Sequence, residues 1–156
     1  KYDSNLVLDD DVLFRSDWSV SHYQKLGEKV PEKWKILYFG YCHKNHKGVV
    51  RDKDQDRIDM VSTSKFLHLF GHGSINGSFF NGYHSSVFKK MLEMTAISKI
   101  PFDTGPMRNY YQTYPGEVLL SYPPAGVQDM TDTDIQGSQD SRRLIKEWGW
   151  DMTLYS

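Results

Sequence analysis

A short apolar run, Asn5-Leu6-Val7-Leu8, ends abruptly in three consecutive carboxylates, Asp9-Asp10-Asp11, before apolar character returns at Val12-Leu13-Phe14. The run predicts a buried strand, and acids at the C-terminal edge of such a strand lie where open α/β sheets bind their ligands. Hard oxygen donors, with no cysteine and no required histidine, suit Mg²⁺ or Mn²⁺, which keep coordination positions open for substrate phosphates. The competing reading makes the acids caps of a helix starting near Ser16-Asp17-Trp18. One acid is enough for a cap, and crowding three raises the pKa of each unless a cation neutralises them, so the metal reading is preferred.

At 156 residues, 38% of them hydrophobic and 14% aromatic, the chain is the size of one domain with one core. Its 19 basic and 20 acidic residues nearly cancel, so no global field draws it to nucleic acid or to an anionic membrane surface. No apolar run approaches the roughly 18 to 20 residues of a membrane span, and Lys1-Tyr2-Asp3-Ser4-Asn5 contains no signal-peptide core. A soluble, cytoplasmic chain with no transmembrane segment is therefore expected, with a secretory lumen or, for a viral enzyme, the host-cell cytoplasm as alternatives. One cysteine, Cys42, excludes an intrachain disulfide framework and reads as a small hydrophobe rather than a nucleophile. Only four residues precede the first strand, whereas nucleotide-binding folds place a βαβ unit ahead of their acidic edge. Residues 1–156 are thus expected to be the C-terminal portion of a larger catalytic domain.

Apolar residues at 18, 20, 23 and 26 predict a helix that Gly27 ends, and Lys35-Ile36-Leu37-Tyr38-Phe39-Gly40 predicts a strand buried on both faces. Residues 41–59 are polar and charged and read as a long surface loop. Phe66-Leu67-His68-Leu69-Phe70 restores apolar character, after which Gly71, Gly73, Gly77 and Gly82 imply close backbone approach. Ser85-Ser86 caps an amphipathic helix through Val87, Phe88, Met91, Leu92 and Met94, and a shorter helix follows Pro101-Phe102-Asp103. Val118-Leu119-Leu120-Ser121-Tyr122 is a further strand, and residues 140–148 form a final helix stopped by Gly149. Strands alternating with helices predict an α/β fold with a mixed, mostly parallel sheet flanked by helices.

The order of short motifs carries more than any one of them. Leu6-Val7-Leu8-Asp9-Asp10-Asp11-Val12 is followed by Gly82-Tyr83-His84-Ser85-Ser86 with Phe88-Lys89-Lys90-Met91-Leu92. Pro101-Phe102-Asp103 comes next, then Tyr122-Pro123-Pro124 with Gln128 and Thr133-Asp134-Ile135. Across about residues 5 to 136 this series resembles glycosyltransferase family 25, which includes bacterial lipooligosaccharide galactosyltransferases and collagen galactosyltransferases. Large DNA viruses carry glycosyltransferases of this general type too. Asp9 stands where the family more often has glutamate, and Thr133 where it has serine.

The resemblance implies a GT-A-type, inverting hexosyltransferase that moves a sugar from a nucleotide-diphosphate donor, a UDP-sugar, to a hydroxyl of a glycan or glycoprotein. Asp9 and Asp11 would hold Mn²⁺ or Mg²⁺ at the diphosphate, since alternation along an extended segment puts them on one face. Asp10, on the other face, would reach ribose or sugar hydroxyls, and Tyr83 would add a donor contact. Asp103 is the expected base toward the acceptor hydroxyl, or else a helix cap, with Asp134 as the further candidate. Two alternatives stay open: a metal-dependent phosphohydrolase, although no Asp-x-Asp-x-Thr follows the strand, and a non-catalytic sugar-binding domain of the same fold. His43 with His46, or His68 with His72, has zinc-compatible spacing but lacks the accompanying glutamate or cysteines.

Overall fold

The computed structural model describes residues 3–32, 34–43, 65–68, 75–114, 116–130, 141–148 and 150–156. A five-stranded mixed sheet runs in the order β1 (Ser4–Leu8), β5 (Ile75–His84), β3 (Ile36–His43), β6 (Val118–Tyr122) and β4 (Lys65–His68). β3 and β6 are parallel, while β1 with β5, β3 with β5 and β4 with β6 are antiparallel. The fold is therefore α/β with a mixed sheet, as expected, but the sheet is mostly antiparallel rather than mostly parallel. The cause is β5, a ten-residue strand that returns between β1 and β3 and opposes both.

The central strands β3, β5 and β6 are covered on both faces. Against one face pack α2 (Phe88–Ile97), a π-helical turn over Asp103–Met107, and α3 (Arg108–Thr113), through Val87, Met91, Met107, Tyr110 and Tyr111 onto Ile36, Tyr38, Tyr83, Val118 and Leu120. Against the other pack α1 (Val20–Glu28), α4 (Ser141–Trp148) and a two-stranded sheet of β2 (Val12–Phe14) with β7 (Gly126–Gln128). Leu26, Leu144, Val127 and Trp150 there meet Phe79, Phe80 and Cys42. Burial on both faces is why β3 reads as an unbroken apolar run. Gly40 lets the small sheet approach, since a Cβ there would lie 2.8 Å from Gly126 O, and β3 shifts register on either side of it.

Several local expectations change. β1 is an edge strand and is not buried: Leu6, Val7 and Leu8 are 56%, 44% and 42% exposed. Leu6 stands opposite Gly82, which offers it no side chain to pack on. Gly27 lies inside α1, whose C-cap is Lys29 and whose N-cap is Ser19. Ahead of α2, His84 rather than a serine caps the short 3₁₀ turn Ser85–Val87, its Nδ1 accepting from Ser86 N at 3.2 Å. Tyr41 and Cys42 belong to β3 and are buried, so the polar excursion starts later than expected. Its remainder, 44–59, lies outside the described residues. No helix among the described residues is long and apolar enough to cross a membrane.

Candidate functional site

The three aspartates form the connection from the main sheet to the small one. Asp9 N donates to Phe79 O at 2.8 Å, the chain turns at Asp10 and Asp11, and β2 then pairs with β7, placing Val12 opposite Gln128. Asp129 N donates to Asp11 O at 2.8 Å, and Gln128 Nε2 donates to Asp11 Oδ2 at 2.7 Å. The other carboxylate oxygen, Asp11 Oδ1, is buried with no hydrogen-bond partner among the described residues. Because the segment turns, strand alternation does not set the directions of Asp9 and Asp11 as expected. Asp9 and Asp10 are exposed, and Asp11 is half-buried. Partial desolvation, then the charges of Asp11 and Asp10, raise the Asp9 carboxyl above its ordinary value. Ser19 caps α1, so the cap reading of the triplet fails.

Tyr83 enters the same neighbourhood from β5. Its ring belongs to the buried core, which removes it as an exposed stacking platform and leaves the hydroxyl as its polar contribution. Asn81 Nδ2 donates to that hydroxyl at 3.2 Å. Burial first, and the nearby Asp9 charge after it, push the phenol up to about 12, so at neutral pH it is a neutral donor.

Asp103 approaches from the π-helical turn. Its Oδ1 accepts from Thr104 N at 2.7 Å and its Oδ2 from Gly77 N at 3.3 Å, so the side chain pins the turn to β5. Gly77 adopts φ +104 there, a conformation that favours glycine. Asp103 is thus in the first turn rather than at the N-cap, which is Phe102. Asp9 and Asp103 anchor to β5 two residues apart, about 7 Å along a strand. Beside Asp103, Cys42 is buried with its thiol pushed up to about 12, by burial first and then by the Asp103 charge, which removes it as a nucleophile.

Asp134, His46 and His72 lie outside the described residues, as do the side chains of His43 and His68. Among the described residues no group of three or more His, Cys, Asp or Glu side chains converges on one point. Mg²⁺ and Mn²⁺ sites often use one or two carboxylates, with substrate oxygens completing the shell, and the unmet Asp11 Oδ1 fits that pattern. In the sequence Gln128 has no assigned role, Tyr38 is placed only within a buried strand, and nothing signals Asn81 or Arg108. Their roles come from tertiary contacts, and only the motif position of Gln128 signalled anything in advance. Comparison with protein-family models, with curated proteins and with solved structures returns no match.

Proposed function

We propose that the chain is part of a metal-dependent, inverting glycosyltransferase of GT-A type that moves a sugar from a UDP-sugar to a hydroxyl of a glycan or glycoprotein. The observation that carries the reading is the Asp11 carboxylate, one oxygen held by Gln128 and the other buried and unmet among the described residues. That contact joins two motifs of the resemblance that are 117 residues apart. Asp9 and Asp11 hold the cation, and Gln128 orients Asp11 without cancelling its charge. When bound, Mn²⁺ or Mg²⁺ supplies charge neutralisation at the leaving diphosphate. Asp10 reaches hydroxyls of the donor, and Tyr83 donates its phenolic hydrogen bond to a donor oxygen. Asp103, oriented by two backbone N–H groups, takes the proton of the acceptor hydroxyl as that oxygen attacks, with Asp134 as the alternative base.

Calorimetry with UDP-sugars, with and without Mn²⁺, tests the reading. Metal-dependent binding that Asp11→Asn abolishes, together with slow donor hydrolysis, is expected. Asp103→Asn should spare donor binding and remove turnover. Indifference to both nucleotide and metal overturns the proposal, and sugar binding without metal or turnover favours the non-catalytic alternative.

A further inference from the structure

Beneath α3, the sheet carries polar groups that the proposed chemistry does not use. Tyr38 and Asn81 are both fully buried and stand opposite each other in the β3–β5 register, so their side chains leave the same face. Arg108, at the start of α3, joins them: its Nη2 donates to Asn76 Oδ1 on β5 at 2.9 Å, and its charge acts on the Tyr38 phenol. Three atoms of this group are buried without a hydrogen-bond partner among the described residues, namely Tyr38 Oη, Asn81 Oδ1 and Arg108 Nε.

No hydrogen bond joins Tyr38, Asn81 and Arg108 to one another, and two of the three are committed elsewhere. Asn81 spends its amide on Tyr83 Oη, and Arg108 is tethered to Asn76. Rotating the Asn81 amide by half a turn exchanges its two atoms and still leaves one unmet. The unmet set consists of a pure donor, a pure acceptor and a hydroxyl that is both. A ligand that meets all three must donate and accept, and it must be small, since Tyr38 is packed among Ile36, Tyr83, Met107 and Tyr111. Water has those properties, and buried water is the usual answer to buried polar groups that protein atoms leave unpaired.

We infer that Tyr38, Asn81 and Arg108 share an internal hydration site, in which ordered water accepts from Arg108 Nε, donates to Asn81 Oδ1 and bonds Tyr38 Oη. Such water ties α3, and the π-helical turn before it, to the β3–β5 pair. Through the Asn81 amide it also fixes the hydroxyl of Tyr83. The site does not depend on the glycosyltransferase reading and stands or falls separately.

The sign of one substitution tests it. If the Tyr38 hydroxyl is bonded to water, Tyr38→Phe discards a made hydrogen bond, and the melting temperature falls by about 2–4 °C. If the hydroxyl has no partner, phenylalanine removes a desolvation cost and the melting temperature rises; a rise or no change overturns the inference. A high-resolution crystal structure of the full chain gives the second measurement. Ordered solvent within hydrogen-bond reach of both Tyr38 Oη and Asn81 Oδ1 is expected, and featureless density there overturns the inference.

Discussion

Gly40→Ala probes the join on which the candidate site depends. A Cβ at residue 40 would stand 2.3 Å from Phe79 Cε2 and 2.8 Å from Gly126 O. Carbon atoms pack best about 3.5–4.0 Å apart, so the Phe79 ring must retreat by more than about 1 Å. Phe79 is buried and meets Trp150 edge-on with ring centroids 6.3 Å apart, so its retreat disturbs a second buried ring. The second obstacle is β7 backbone, which yields only if the small sheet moves. Overpacking of this kind costs about 1–3 kcal/mol, and two stiff obstacles put Gly40→Ala near the upper figure. In a domain of this size that is a loss of about 6–12 °C in melting temperature. Gly27→Ala is the control, because nothing lies within 4 Å of a Cβ there and the residue is helical. Relief of glycine's backbone freedom should raise the melting temperature by about 1–4 °C. Calorimetry of the three proteins decides: a Gly40→Ala loss under about 2 °C refutes the close approach of β7 to β3.

Asp9→Asn should stabilise the chain at neutral pH. The folded state holds the Asp9 proton more tightly than the unfolded state, so ionised Asp9 costs stability, and the cost vanishes as pH falls through the raised folded value toward the unfolded one. Asp9 is exposed and screened, so a gain of about 1–2 °C at pH 7 is expected, with none near about pH 3; equal melting at both refutes the crowding. Cys42, with its thiol near 12, should be roughly one part in ten thousand thiolate at about pH 8, so Ellman's reagent should label it only on unfolding. Rapid labelling of the native chain would place that thiol near solvent. Gln128→Met keeps the side-chain length but severs the bond to Asp11, and should weaken Mn²⁺ binding by about tenfold in spin-resonance titrations. Unchanged affinity with wild-type melting removes Gln128 from the site.

The sequence carried the elements whose stability is local or uniformly apolar. The run at 118–122 became β6, and the helical spacing after Val87 became α2. β5 escaped because Asn76, Gly77, Ser78, Asn81 and Gly82 are weak strand formers taken singly. What makes them a strand is placement between two partners, with Gly82 beneath the Phe39 ring and Asn81 bonded to Tyr83. Without that strand the mixed sheet reads as mostly parallel, whereas it is mostly antiparallel. The site divided in the same way. The acids were visible as a triplet, whereas the Gln128 contact depends on β2 pairing with β7 across 117 residues. Asp103 was legible as an acid near a helix start, but its bond to Gly77 requires the unseen β5.

The choice of partner for Asp11 bears most directly on what the acidic turn does. A carboxylate kept for structure alone is held most securely by arginine, whose guanidinium supplies paired donors and cancels the charge, as Arg15 does for Asp17 at 2.6 Å. Asp11 instead receives a neutral amide, which fixes its orientation and leaves its charge intact. Burial first, and that charge after it, raise the Asp9 carboxyl, and the repulsive part of this cost to the folded chain is what a bound cation would reverse. Added Mn²⁺ should therefore raise the melting temperature of the wild-type chain more than that of Asp9→Asn. A stabilisation that is the same in both would mean that Asp9 takes no part in holding the ion.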